Sequence, residues 1–179
     1  MIANQIIFFE KSLIISFIYL LIILLIFNLF NKLYLGDNGI YLLSVFSGYL
    51  LIQVFNTNSF LTPYFIVNLL WYPAFEILFS LLRKLMFHHS PMKPDTLHLH
   101  QLLFINLSNK FKLKKIIINS LTGIIINSYN LLMLLVSSIG YQNTKLQIVF
   151  ILINLSVYLF SYIMLNKLRL LNIKSNHRN

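Results

Sequence analysis

Five long apolar runs, separated by short polar breaks, constrain this chain more than any other feature. Residues 12–31 form twenty consecutive positions without a charge. At about 1.5 Å of rise per helical residue they match the roughly 30 Å hydrocarbon layer of a bilayer. Further runs cover residues 39–55, interrupted only by Gln53, then 60–82, 116–139 and 146–165. The runs are continuously apolar rather than alternating, and each is about twice the length of a barrel strand, so they read as helices. With 58% hydrophobic and 10% charged residues the chain carries more apolar surface than a water-facing globule could cover. The same balance excludes disorder. The expected fold is therefore all-α: one multi-pass transmembrane bundle over residues 1–179, with about five spans and a short helix in a cytoplasmic loop. Pro63, Pro73 and Glu76 sit inside the third run, and a kink is expected near Tyr72–Pro73, where the helix loses a backbone donor. The first run is too long for a cleavable signal peptide and has no basic region ahead of residue 10.

Charge sets an expected orientation. The chain has 14 Lys and Arg against 4 Asp and Glu, a formal charge of +10. Five spans put Lys32, Arg83, Lys84, Lys93, Lys110, Lys112, Lys114, Lys115, Lys167, Arg169, Lys174 and Arg178 on one side and only Lys11 and Lys145 on the other. That asymmetry places the amino terminus outside and the carboxyl terminus in the cytoplasm. A basic apolar chain of this kind meets anionic headgroups or phosphate-bearing substrates rather than nucleic acid. The absence of cysteine removes thiol catalysis, disulfides, iron–sulfur clusters and cysteine zinc sites.

Only Glu10, Asp37, Glu76 and Asp95 can do carboxylate chemistry. Asp37 lies in Gly36-Asp37-Asn38-Gly39 at the cytoplasmic end of the first span. There it can hold a hard cation such as Mg2+, or Asp37 or Asn38 can simply cap the next helix. Glu76, costly within an apolar span, is expected to pair with Arg83, seven residues on and on the same helix face. In the polar segment 83–115, Pro91 and Pro94 hold an extended approach, Asp95 or Thr96 can cap, and residues 97–104 read as a short helix. If helical, His98 and Gln101 share a face while His100 projects elsewhere; if extended, His98 and His100 point the same way. Imidazoles beside Lys93 can donate to a phosphate. Two other readings stand beside this one: a zinc site built from His88, His89, His98, His100 and Asp95, and a basic loop that merely lies on lipid headgroups.

The order of four motifs resembles the polyprenyl-phosphate N-acetylhexosamine-1-phosphate transferases, a membrane family that includes undecaprenyl-phosphate N-acetylglucosamine-1-phosphate transferase. The matching pieces are Gly36-Asp37-Asn38-Gly39, Pro73-Ala74-Phe75-Glu76, Leu82-Arg83-Lys84, and Ser90 through His100. The resemblance implies transfer of a sugar 1-phosphate from a UDP-N-acetylhexosamine to polyprenyl phosphate at the cytoplasmic face of a bacterial cytoplasmic membrane. It implies a Mg2+-binding, catalytic role for Asp37. His98 and His100 take the first two histidine positions of the loop motif that contacts the nucleotide-sugar phosphates. Arg83, Lys93, Asp95 and Gln101 complete the expected substrate-binding set.

The departures are specific. Gln101 stands where many members carry a third histidine, and Thr96-Leu97 where an Arg-Asn pair is common. The family's paired aspartates have no counterpart, since the helices bearing them would precede Met1. The resemblance thus covers only the carboxyl-terminal part of the family. The chain is expected to be inactive alone, with a longer gene or a separate chain supplying the missing helices. The alternative function is a non-enzymatic membrane protein that serves as an assembly or lipid-binding partner.

Overall fold

A computed structural model describes residues 2–86 and 97–176, with side chains over 11–86 and 97–172. Among the described residues there are seven helices: α1 (Ile2–Leu29), α2 (Gly36–Thr57), α3 (Pro63–Leu69), α4 (Trp71–Met86), α5 (Leu99–Lys110), α6 (Lys115–Ile139) and α7 (Thr144–Asn176). The all-α fold expected from the apolar runs is the one observed. Segments Lys11–Leu29, Gly36–Thr57, Lys115–Ile139 and Thr144–Asn172 are each long and apolar enough to cross a membrane, and α3 with α4 makes a fifth if the bent pair counts as one span.

The chain divides into two compact units, residues 1–59 and 60–179. In the first, α1 stops because Asn31 adopts the left-handed conformation, at φ 54°, which asparagine tolerates better than most residues. The amide of Asn31 then reaches the Asn28 carbonyl and that of Lys32 the Phe27 carbonyl, both at 2.9 Å, the paired bonds of a Schellman stop. Gly36, at φ 63°, opens α2. The expectation that Asp37 or Asn38 caps this helix is corrected: the cap position falls on Leu35, and Asp37 lies inside the first turn. No residue of α2 is buried, and Phe17 meets Phe46 with ring centroids 4.5 Å apart.

In the second unit Thr62 caps α3, accepting from the Phe65 amide at 3.3 Å, with Pro63 at the first helical position, where its missing N–H costs nothing. The helix then breaks at Leu70, and the axis turns by 74° between α3 and α4. The kink is thus earlier than the expected Tyr72–Pro73. Pro73 offers no N–H to the Leu69 carbonyl, and its ring clashes with the carbonyl four residues back, so the disruption appears one turn ahead of the proline. Helices α6 and α7 form a hairpin whose second helix is capped by Asn143, its Oδ1 accepting from the Leu146 amide at 3.2 Å.

The interior of this unit is unusually polar. Buried apolar residues are Trp71, Leu102, Ile118, Met133, Tyr158 and Tyr162, while Thr62, Asn68, Glu76, Ser80, Thr122, Ser137, Gln147 and Asn154 are also buried. Leu, Ile and Phe side chains dominate the exposed surface. That distribution suits lipid, where apolar surface costs nothing outside and interhelical hydrogen bonds hold the helices together. Gln147 is the centre of one such set. Its Oε1 accepts from Asn68 at 2.7 Å and from Ser137 at 2.6 Å, and its Nε2 donates to the carbonyls of Ser137 at 2.8 Å and Gly140 at 2.9 Å. One amide therefore clamps α3, α6 and α7. Asn154 continues the set, accepting from the Tyr129 hydroxyl at 2.9 Å.

Candidate functional site at the start of helix α5

Two α4 side chains hold the chain as it enters α5. Glu76 and Arg83 share a face, as their spacing requires, but their partners differ from the expected mutual pair. Glu76 is 8% exposed. Its Oε1 lies 2.9 Å from His98 Nδ1 and accepts from the Leu99 amide at 3.0 Å. Arg83 Nη1, two turns along, donates to the Leu97 carbonyl at 2.8 Å and to the Tyr162 hydroxyl. The Arg83 guanidinium also lies over the rings of Phe79 and Tyr162, at 5.7 and 5.3 Å, a cation–π arrangement that rewards a delocalised cation. The connection is thus pinned at Leu97, His98 and Leu99.

His98 itself is the cap residue of α5, with extended backbone at φ −70° and ψ 150°. Its amide donates to Gln101 Oε1 at 3.3 Å. Residues 97–104 were expected to be helical, and α5 is the longer Leu99–Lys110. Asp95 and Thr96, the expected caps, lie outside the described residues, as does Lys93. Gln101 and His98 meet as expected, but through the glutamine side chain and the histidine backbone. The His98 and His100 rings stack at 5.6 Å with an interplanar angle of 12°. Although His100 reaches the surface, partial burial of its ring is the main effect on its pKa and lowers it below the ordinary histidine value; Glu76 opposes this and His98 adds to it. Asn106, donating to the Leu102 and Leu165 carbonyls at 2.8 and 2.9 Å, ties α5 to α7.

Beneath the imidazoles lies a core that the sequence reading did not identify. Trp71, Leu102, Tyr158 and Tyr162 form its buried centre, with Phe75 and Phe79 against it. Phe75 meets Tyr158 edge-on at 4.9 Å and Phe79 meets Tyr162 at 4.8 Å. A cavity of about 290 Å³ opens between α4, α5, α6 and α7, with Tyr72, Leu103, Tyr129 and Tyr158 among its walls. Glu76 Oε2 and the hydroxyls of Tyr72 and Tyr158 are buried together, and both tyrosines interact with Glu76. The signals for this core were present: Glu76 is the one acid in an apolar run, and Tyr158 and Tyr162 stand one helical turn apart.

Asp37 belongs to the other unit, exposed in the first turn of α2. The described residues contain no group of three His, Asp or Glu side chains suited to a metal ion. Asp37 can therefore offer Mg2+ one carboxylate, the rest of the coordination coming from substrate phosphates and water. The histidines proposed for zinc at 88 and 89 lie outside the described residues.

No family model matches this chain, and no curated protein or solved structure does.

Proposed function

We propose that the chain is the carboxyl-terminal part of a membrane transferase that moves a sugar 1-phosphate from a UDP-N-acetylhexosamine to polyprenyl phosphate, and that it is inactive alone. The observation that carries this reading is the pinned start of α5. His98 and His100 stack there beside a helix amino terminus, where backbone dipoles favour an anion and imidazoles donate to phosphate. The ordered motifs of the family it resembles add support. Mg2+, arriving with the diphosphate, would neutralise part of its charge. The proposed location is the bacterial cytoplasmic membrane, with the amino terminus outside and the site facing the cytoplasm.

The binding test uses the purified chain in lipid nanodiscs with UDP-N-acetylglucosamine and Mg2+. A rise in thermal midpoint that is lost in His98→Ala and in Asp37→Asn supports the reading. A parallel assay with labelled nucleotide sugar and undecaprenyl phosphate should release UMP only when the missing amino-terminal half is restored. No shift and no release in either format would leave the second reading, a non-enzymatic bundle.

Topology supplies an independent test, because the reading requires Asp37 and His98 on one side of the membrane. If the bent pair α3–α4 crosses, they share a side. If it re-enters, they do not, and the basic residues still divide twelve to two, because only Lys11 and Lys32 exchange places. The chain has no native cysteine, so single cysteines report cleanly. Asn38→Cys and Asn109→Cys should label from the same side, and Gln142→Cys from the other. Asn38→Cys labelling together with Gln142→Cys would end the transferase reading.

A further inference from the structure

We propose that Glu76 is a positioning residue, which holds His98 with its proton on Nδ1 so that Nε2 is the nitrogen presented to a ligand. Glu76 Oε1 accepts from the Leu99 amide at 3.0 Å and lies 2.9 Å from His98 Nδ1. An oxygen that already takes one N–H acts as the acceptor toward the ring as well, which puts the imidazole proton on Nδ1. With Nδ1 engaged, the side chain, 26% exposed, has Nε2 as its remaining nitrogen. Fixing one imidazole nitrogen to set the role of the other is how supporting carboxylates act on functional histidines. The ring is held from two more directions: its backbone amide by Gln101 and its face by His100.

Glu76 meets this imidazole from α4 and His100 stacks on it from α5, while Tyr72 and Tyr158 interact with Glu76 in turn. Among the described residues Glu76 is the carboxylate in direct contact with the ring. What Nε2 does rests on the transferase reading; which nitrogen carries the proton does not.

Nitrogen NMR on the full chain, labelled at histidine in nanodiscs at about pH 8, reads the tautomer directly, with the His98 signals assigned by their loss in His98→Gln. The expected pattern is a protonated Nδ1 and an unprotonated Nε2. Glu76→Gln keeps an oxygen acceptor for both donors, so the tautomer should persist. Glu76→Leu removes the acceptor and should give a tautomer mixture. A protonated Nε2 in the unmodified chain, or a tautomer mixture in Glu76→Gln, overturns the proposal; both are readable even if Glu76→Leu does not fold. The expected tautomer without nucleotide-sugar binding would sink the transferase reading alone. Binding to a chain whose His98 carries its proton on Nε2 would sink this proposal alone.

Discussion

Replacing Gln147 by leucine removes four side-chain hydrogen bonds from a residue that is 0% exposed. In lipid the gain from an added apolar side chain is small, so the bonds dominate. Interhelical hydrogen bonds in membranes average about 0.6 kcal/mol each, which for four gives about 2.4 kcal/mol. Compensation limits the loss. The Ser137 and Gly140 carbonyls keep bonds from the Gly140 and Asn143 amides, and Asn68 keeps the Gln147 backbone carbonyl at 3.0 Å. A destabilisation of about 1–2 kcal/mol is expected, roughly a five- to thirtyfold change in the folded-to-unfolded ratio. Equilibrium unfolding in mixed micelles measures it, with Gln53→Leu as the control, since that exposed amide donates only to Tyr49 on its own helix. The control should stay within about 0.5 kcal/mol of the parent. A cycle with Ser137→Ala should return a coupling of about 0.6 kcal/mol for that pair. If Gln147→Leu costs no more than Gln53→Leu, the amide clamp does not hold α3, α6 and α7 together.

Four further outcomes follow from other parts of the molecule. His100 has a folded pKa below its ordinary value, so the unfolded chain takes up its proton first as pH falls. Its contribution therefore favours folding above about pH 6.5 and weakens as the pH drops below that value; thermal midpoints at pH 7.5 and 5.5 should converge in His100→Gln relative to the parent. Leu102→Ala, at a position 0% exposed among Trp71, Tyr158 and Tyr162, should cost about 2–5 kcal/mol in the same unfolding assay. Gly36→Ala, forced to φ 63°, should cost about 1–2 kcal/mol. Gly48→Ala, inside α2 with nothing within 4 Å of the new carbon, should instead stabilise by up to about 1 kcal/mol.

The helices were legible in the sequence because uninterrupted apolar length is a strong signal, and four of the five runs correspond to single helices. The break in the remaining run was legible as a proline effect but not in its position, since the clash acts on Leu69 rather than on Pro73 itself. At the candidate site the sequence placed Glu76 and Arg83 on one face correctly. It could not choose their partners, because Leu97, His98 and Leu99 are distant in the chain and the Glu76 contacts involve one backbone amide and one ring nitrogen. Gln101 was read as a substitute for a histidine, whereas its oxygen accepts a backbone bond that no composition rule would reveal. The Asn68–Gln147–Ser137 set escaped notice because isolated amides in apolar helices declare their importance only when their burial is known.

Because Glu76 and Arg83 grip the entry to α5 directly, and Asn106 fastens that helix to α7, the imidazoles are anchored to α4 and α7 by side chains. Two separate polypeptides, one ending shortly after Met86 and the other beginning shortly before Leu97, should therefore reassociate when produced together. They should co-purify in detergent, held also by the Asn68–Gln147 bonds and the aromatic core, and less should be recovered once Glu76 and Arg83 are both replaced by alanine.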